Sequence, residues 1–194
     1  MTGHQHIDDA GGSRRRLTYA DFRRFPSDGQ RHELISGEHA VTAAPNLRHQ
    51  EMSIRMVIAL GTFLEANPIA AVYHAPLDCV FSFFDVVEPD LLVVTNDQRE
   101  ILTKRNVRGA PALAIEILSP SSTARDQRTK RSLYERVGVR EYWVVDPDRD
   151  CISVHRLAKP RQFHFPETLA AVNADSLATS LLPGFVLDLA RLFR

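Results

Sequence analysis

One strand-like segment constrains the fold more than any other part of the sequence. Residues 112–118 read Ala-Leu-Ala-Ile-Glu-Ile-Leu, an almost unbroken apolar run that contains Glu116. Such runs are typical of strands buried on both faces of a sheet. An ionised carboxylate in that setting needs a partner, a metal ion or a proton. The alternative is a structural acid, capped by a backbone N–H or by an arginine.

The patterns on either side of this segment predict an α/β fold. An amphipathic helix is expected over residues 47–66 and a second over 123–137, ending at Gly138, a residue favoured just after helix ends. A short helix is expected from Thr18 through Phe25. Residues 31–38 are predicted to form the first strand and a tight turn at Gly37. Further strands are predicted over residues 70–74, 79–83, 90–94, 112–118, 141–145 and 152–155, with short strands, a Pro183-Gly184 turn and a closing helix over residues 168–194. The sequence therefore predicts a single domain in which a mixed β-sheet is flanked by helices.

The chain of 194 residues has the length of one domain. We expect residues 1–16 to form a disordered tail and residues 17–194 to form the domain. Arg14 to Arg16 are either a solvated run or a nonspecific phosphate contact. The polar N-terminus lacks the apolar segment of a secretory signal, and no stretch is long and apolar enough to span a bilayer, so we expect an intracellular, cytoplasmic protein without membrane contact.

A second acid and a lysine accompany Glu116. Asp90 opens the apolar run 91–94 and follows Glu88-Pro89. At 100° per residue, one face of the second helix carries Asp126, Lys130, Leu133, Tyr134 and Val137. Because its apolar members must face the core, Lys130 should point toward the sheet. The alternative is a lysine that extends its head into water. Thr123 to Asp126 resemble a capping box, which favours a capping role for Asp126.

Two carboxylates and a lysine together suit metal-assisted hydrolysis of a phosphoester. Close carboxylates repel each other, and a divalent cation reverses that repulsion. Mg²⁺ prefers one or two carboxylates and keeps several waters. The bound ion orients a water, lowers its pKa and neutralises charge that develops on a phosphoryl oxygen. A nearby lysine adds positive charge beside the scissile phosphate.

An ordered set of motifs resembles one known family. The set comprises Glu33-Leu34-Ile35-Ser36-Gly37-Glu38, His49, residues 88–94, residues 115–121 with Asp126, Lys130 and Tyr134, residues 141–147, and Leu182-Pro183-Gly184-Phe185. Together they resemble the Uma-type putative restriction endonucleases of the PD-(D/E)XK nuclease superfamily, over roughly residues 17 to 192. No single motif is specific to this family, but the order of the motifs along the chain is. The resemblance implies a restriction-endonuclease-like fold and an endonuclease activity.

The resemblance also implies roles for individual residues. Asp90 and Glu116 match the acids that bind Mg²⁺, for which Mn²⁺ can substitute, and the carbonyl of Ile117 joins them. Glu33 matches an early acid that contacts the metal through water. Leu118 occupies the position of the motif lysine, and the resemblance assigns that role to Lys130.

Other side chains are weaker candidates. His49 lies on the apolar face of the first long helix, either as a core or capping residue or as a neighbour of the site. Arg125, Arg128 and Arg131 begin the helix that carries Lys130 and form either a solvated face or a nucleic-acid contact. Lysine and arginine total 24, and so do aspartate and glutamate, which excludes a uniformly basic protein that coats nucleic acid.

These observations predict a Mg²⁺-dependent endonuclease that hydrolyses DNA phosphodiester bonds with a metal-activated water. DNA as the substrate rests on the family resemblance, which also leaves open a homodimer, and no small-molecule cofactor is implied. One alternative is a catalytically silent module with this fold that binds nucleic acid or a protein partner. Another is a hydrolase of a different phosphoester.

Overall fold

The structure is a computed structural model that describes residues 15–26, 28–42, 44–120 and 122–194. These residues contain four α-helices and fourteen strands. The helices are α1 (Tyr19–Phe22), α2 (Leu47–Ala66), α3 (Ala124–Val137) and α4 (Leu189–Leu192). The strands are β1 (Arg31–Ile35), β2 (Glu38–Thr42), β3 (Ala70–His74), β4 (Cys79–Ser82), β5 (Asp85–Val87), β6 (Leu91–Thr95), β7 (Val107–Arg108), β8 (Leu113–Ile117), β9 (Glu141–Asp146), β10 (Cys151–Lys159), β11 (Gln162–Phe163), β12 (Glu167–Ala170), β13 (Ser176–Ala178) and β14 (Val186–Asp188). Short 3-10 helices cover Asn96–Ile101 and Ala171–Asn173.

A seven-stranded mixed sheet forms the centre of the molecule. Its order is β11-β10-β9-β8-β6-β3, with β12 paired to β10. β8 and β9 run parallel and are joined through α3, while β6 pairs antiparallel with β8 on the other side. All five residues of β6 and all five of β8 are buried. Their continuous apolar sequences reflect this burial on both faces.

Helices cover the two faces of this sheet. On one face, Met52, Met56, Leu60 and Leu64 of α2 pack on the sheet together with the C-terminal segment. On the other face, α3 contributes Leu133 and Tyr134, which pack with Leu92, Ala114, Tyr142 and Val144. Residues of a second sheet, including Cys79, Val87 and Val107, complete this second cluster. The site described below lies on the α3 side.

The second sheet has five strands in the order β2-β1-β5-β4-β7. Buried Asp85 ties it together, because its Oδ1 accepts a hydrogen bond from the Ser36 N–H at 2.8 Å and its Oδ2 accepts one from the Ser82 hydroxyl at 2.7 Å. Arg136 of α3 is half-exposed and also pairs with Asp85 at 3.0 Å. This contact anchors α3 to the second sheet.

The fold class predicted from the sequence is confirmed: the chain forms an α/β structure in which mixed β-sheets are flanked by helices. The bounds of α2 match the prediction, and α3 begins and ends where Thr123 and Gly138 indicated. The predicted helix from Thr18 to Phe25 is shorter, because α1 ends at Phe22 and the N–H groups of Arg24 and Phe25 bond to carbonyls three residues back. The strands β2, β5, β7 and β11 were not predicted from the sequence pattern. Three of these strands have only two or three residues, and β2 is largely exposed, so none shows a clear period.

Residues 1–14 of the predicted tail lie outside the described residues. The last two tail residues contact the domain: Arg15 Nη2 lies 3.4 Å from Asp21 Oδ1, and Arg16 Nε donates to the Ser36 carbonyl at 2.8 Å. Among the helices described above, none combines the length and the hydropathy that a membrane crossing would require.

Candidate active site

Three buried acids line one cavity of about 420 Å³ between the two sheets and α3. Glu33 comes from β1, Asp90 immediately precedes β6, and Glu116 lies in β8. The antiparallel register pairs Leu91 with Ile115, so the next pair along the strands places Asp90 opposite Glu116. The sequence predicted all three acids, and the structure brings them to the same cavity.

Lys130 joins two of these acids. Its Nζ donates to Glu33 Oε1 at 2.9 Å and to the two oxygens of Glu116 at 2.9 and 3.0 Å. Burial alone would lower the pKa of Lys130, but the charges of Glu116 and Glu33 outweigh it and raise that pKa. The lysine side chain is 15% exposed, which excludes a head group extended into water. Lys130 therefore supplies the positive charge that the apolar Leu118, also in the cavity wall, lacks.

The start of α3 fixes where Lys130 points. The Thr123 hydroxyl accepts a hydrogen bond from the Asp126 N–H at 3.1 Å, and an oxygen of Asp126 accepts one from the Thr123 N–H at 3.1 Å. This reciprocal capping box satisfies N–H groups that a helix start leaves unpaired. The capping role expected for Asp126 is confirmed.

Tyr134 is a site residue that the sequence analysis assigned to the core. Its hydroxyl donates to Glu116 Oε1 at 2.6 Å, and the residue is fully buried. Lys130 and Tyr134 are four residues apart, so they lie on the same face of α3 and hold Glu116 together. A signal was available, because a buried tyrosine hydroxyl needs a hydrogen-bond partner and Glu116 was the unexplained buried acid.

Asp90 is held by three donors. Its Oδ2 accepts the Ile117 N–H at 2.8 Å and lies 3.1 Å from His49 Nε2, while its Oδ1 lies 2.6 Å from Arg31 Nη1. Burial opposes ionisation of Asp90, but His49, Arg31 and the Ile117 N–H outweigh it and lower the pKa to about 2. The donors expected of a purely structural acid, a backbone N–H and an arginine, are thus both present at Asp90.

His49 and Arg31 extend the site beyond its acids. His49 is buried beside Asp90, and its Nδ1 has no hydrogen-bond partner among the described residues. No sequence pattern pointed to Arg31, although it lies two residues before Glu33 on β1 and therefore faces the same side of the strand. Its contact with Asp90 joins residues 59 positions apart in the sequence.

The two central carboxyls differ in their tendency to ionise. Burial raises the pKa of Glu116 to about 7 despite the neighbouring Lys130 charge, and Asp90 and Glu33 add to the rise. The surroundings thus lower the pKa of Asp90 and raise that of Glu116, so Asp90 is the stronger acid of the two. Paired acids with separated pKa values are a common feature of active sites.

The oxygen donors in this cavity fit a divalent cation. The carboxylates of Asp90 and Glu116, with the Ile117 carbonyl, are hard ligands of the kind that Mg²⁺ and Mn²⁺ take. Two permanent cations, Lys130 and Arg31, are paired with these acids. Across residues 15–26, 28–42, 44–120 and 122–194, no three His, Cys, Asp or Glu side chains form a metal-binding group. An ion here would therefore complete its coordination with water.

The three arginines of α3 occupy different surroundings. Arg125 is exposed and lines the cavity, and Arg128 is exposed on the same helix. Arg131 has other contacts: its Nε lies 3.4 Å from His155 Nδ1, its Nη2 lies 3.5 Å from Glu135, and its guanidinium stands over the Phe163 ring. The structure thus places Arg125, but not Arg131, in the cavity wall.

Two matches relate the chain to proteins described as nucleases. The Uma2 family model, described as "Putative restriction endonuclease", matches residues 19–190. A crystal structure of a putative nuclease belonging to DUF820 from Anabaena variabilis is 24% identical, with a TM-score of 0.75 over 91% of this chain and 97% of that one. At this identity the structural likeness establishes the fold alone. No curated protein matches the chain.

Proposed function

The chain belongs to the Uma2 family of putative restriction endonucleases, and from that membership and the site we propose that it is a divalent-metal-dependent endonuclease acting on DNA. Asp90 and Glu116, with the Ile117 carbonyl, would hold Mg²⁺ or Mn²⁺. When bound there, such an ion would provide a polarised water and positive charge beside the phosphoryl oxygen. DNA, rather than another phosphoester, follows from the family description.

The placement of Lys130 is the observation that carries this proposal. A PD-(D/E)XK site without a cation near its second acid has nothing to stabilise the phosphate, and Leu118 cannot do so. Lys130 lies within hydrogen-bond distance of both Glu116 oxygens. It keeps a charged ammonium in the cavity, where low dielectric strengthens its attraction to an anionic phosphate.

The remaining residues have supporting roles in the proposal. Glu33 holds Lys130 from the opposite side, and its Oε1 also accepts the Glu88 N–H at 3.0 Å, which fixes the acid. Tyr134 orients Glu116, and His49 orients Asp90. Arg125 and Arg128 would contact the DNA backbone, which carries the charge that such arginines neutralise.

Cleavage of supercoiled plasmid tests the proposal. We expect nicked and linear product with Mg²⁺ or Mn²⁺ and none with EDTA. Glu116→Gln should reduce the rate by about a hundredfold or more, because it removes a ligand charge from the reacting centre. The control is Glu65→Gln, an exposed acid on α2. Cleavage that persists in EDTA, or that Glu116→Gln leaves intact, would refute the site as proposed.

A second candidate function is a nuclease-fold module that binds without cutting. The observation in its favour is that all four carboxyl oxygens of Asp90 and Glu116 already have donors on this chain. Two measurements separate the functions. In calorimetry with Mn²⁺, a nuclease should bind the ion and lose that binding in Glu116→Gln. In a DNA-binding assay, a silent module should bind DNA equally in Mn²⁺ and in EDTA.

A further inference from the structure

Arg31 is a charged cavity residue to which neither the family resemblance nor the proposed function assigns a role. It lies on β1 with its side chain 22% exposed. Its Nη1 lies 2.6 Å from Asp90 Oδ1, and it lines the same cavity as Lys130 and Arg125. The guanidinium is thus paired with an acid that the proposed chemistry needs for a metal ion.

The two oxygens of Asp90 are held in different ways. Oδ2 is fixed by the Ile117 main chain and by buried His49, two groups that cannot move far without disturbing β8 or α2. Oδ1 is held by Arg31 alone among the described residues. Arg31 has a long, partly exposed side chain that can rotate into the cavity. Oδ1 is therefore the oxygen of Asp90 whose partner can exchange.

We propose that Arg31 and the divalent ion compete for Asp90 Oδ1, and that the displaced guanidinium binds a phosphate of the DNA. The inference rests on the proposed function, because it assumes that a metal binds at Asp90. In the metal-free protein Arg31 neutralises the buried carboxylate. Once the ion provides that charge, repulsion between two cations at one oxygen drives the guanidinium away.

The released arginine has a suitable position for an anion. The planar guanidinium matches phosphate oxygens bidentately, and two further cations, Lys130 and Arg125, face the same cavity. Metal and DNA would then favour each other's binding, because the ion frees the group that holds the phosphate. A DNA-free protein would hold its metal less tightly than a DNA-bound one.

Calorimetric titration with Mn²⁺ in the absence of DNA tests the competition. Arg31→Gln should bind Mn²⁺ at least about fivefold more tightly than the wild type, the lower end of the usual coupling between ligands. The matched control is Arg136→Gln, which also removes an arginine from a buried aspartate, Asp85, but outside the cavity. It should leave Mn²⁺ affinity unchanged. Arg31→Lys is the second variant if Arg31→Gln does not fold, and it should show a smaller gain in Mn²⁺ affinity over the wild type.

Fluorescence anisotropy with a labelled duplex tests the phosphate contact. Ca²⁺, which takes irregular oxygen coordination, replaces Mn²⁺ as the ion. The wild type should gain DNA affinity when Ca²⁺ is added, and Arg31→Gln should lose most of that gain. An equal gain in both proteins would overturn the phosphate contact.

The outcomes separate the two proposals. Mn²⁺ binding by the wild type with equal or weaker binding by Arg31→Gln would overturn the competition and leave the proposed function intact. Absence of Mn²⁺ binding in both proteins would overturn the metal site itself, and the inference with it.

Discussion

Lys130 lies within 3.0 Å of both oxygens of Glu116, although it comes from the helix that follows the strand of that acid and is 14 residues away in sequence. The side chain of Leu118, two residues after Glu116, leaves the usual lysine position apolar. The positive charge beside Glu116 therefore depends on the rotation of α3, which the Thr123 and Asp126 capping box and the burial of Leu133 and Tyr134 fix.

Replacing Lys130 should reduce both the rate of DNA cleavage and the free energy of unfolding. In Lys130→Met, plasmid cleavage with Mg²⁺ should fall by about 10²- to 10³-fold, because one charge near the phosphate is lost. Thermal unfolding should show that the free energy of unfolding falls by about 3–5 kcal/mol, since Glu33 and Glu116 remain buried without their cation. Lys159→Met, an exposed lysine on β10, is the control and should change neither quantity. Wild-type cleavage by a folded Lys130→Met protein would contradict the prediction.

Asp126 should act on stability and not on metal binding. Asp126→Ala removes the reciprocal part of the capping box and should lower the free energy of unfolding by about 1 kcal/mol, the usual cost of a lost cap. Mn²⁺ affinity measured by calorimetry should not change. The control is Asp148→Ala, an exposed acid in the turn after β9. A weaker Mn²⁺ affinity in Asp126→Ala would make Asp126 part of the metal site instead.

The ionisation of Glu116 should make stability fall as pH rises. Its folded pKa of about 7 exceeds the ordinary 4.5 of an unfolded chain, so the folded state binds more protons between those pH values. The contribution is complete at low pH and disappears as pH passes 7. One pKa unit corresponds to about 1.4 kcal/mol, which gives a loss of about 3 kcal/mol across this window. Burial also raises the pKa of Glu88, to about 6, so part of the loss is independent of Glu116. Urea unfolding in EDTA should therefore show a larger loss in the wild type than in Glu116→Gln; parallel pH curves would refute it.

Tyr134 should influence metal affinity through Glu116. Tyr134→Phe removes one hydrogen bond at 2.6 Å and leaves the Lys130 contacts in place. We expect Mn²⁺ to bind about tenfold more weakly, at the lower end of effects from groups that orient a metal ligand. The loss of stability should be about 1 kcal/mol. Tyr73→Phe, on the edge strand β3, is the control. Unchanged Mn²⁺ affinity in Tyr134→Phe would restrict the tyrosine to packing.

The arginines of α3 should differ in DNA binding. Arg125→Gln should lower the slope of log affinity against log salt concentration by about 0.9, the value of one phosphate contact. Arg131→Gln should leave that slope unchanged, because its guanidinium contacts Glu135 and His155. Anisotropy titrations at several salt concentrations measure both slopes. Equal slopes for the two variants would count against a distinct role for Arg125.

The sequence predicts those parts of the fold that are long or buried on both faces. Helical periodicity locates α2 and α3, and unbroken apolar runs locate β6 and β8. The helical face of α3 also predicts that Lys130 points toward the sheet. The short strands β5 and β7 were missed, since two or three residues show no period. Arg31 was missed for another reason: its contact with Asp90 spans 59 residues and depends on how two sheets pack, which no local pattern encodes.

The acids of the site lie on both sheets, with Glu33 on the smaller and Glu116 on the larger, and Lys130 bonds to each. During synthesis all three acids leave the ribosome before Lys130 does. The cavity can acquire its ammonium only after α3 is made and packed between the sheets, so a nascent or partly unfolded chain holds an incomplete site. The Glu33, Lys130 and Glu116 cluster therefore forms only when both sheets and α3 are assembled together.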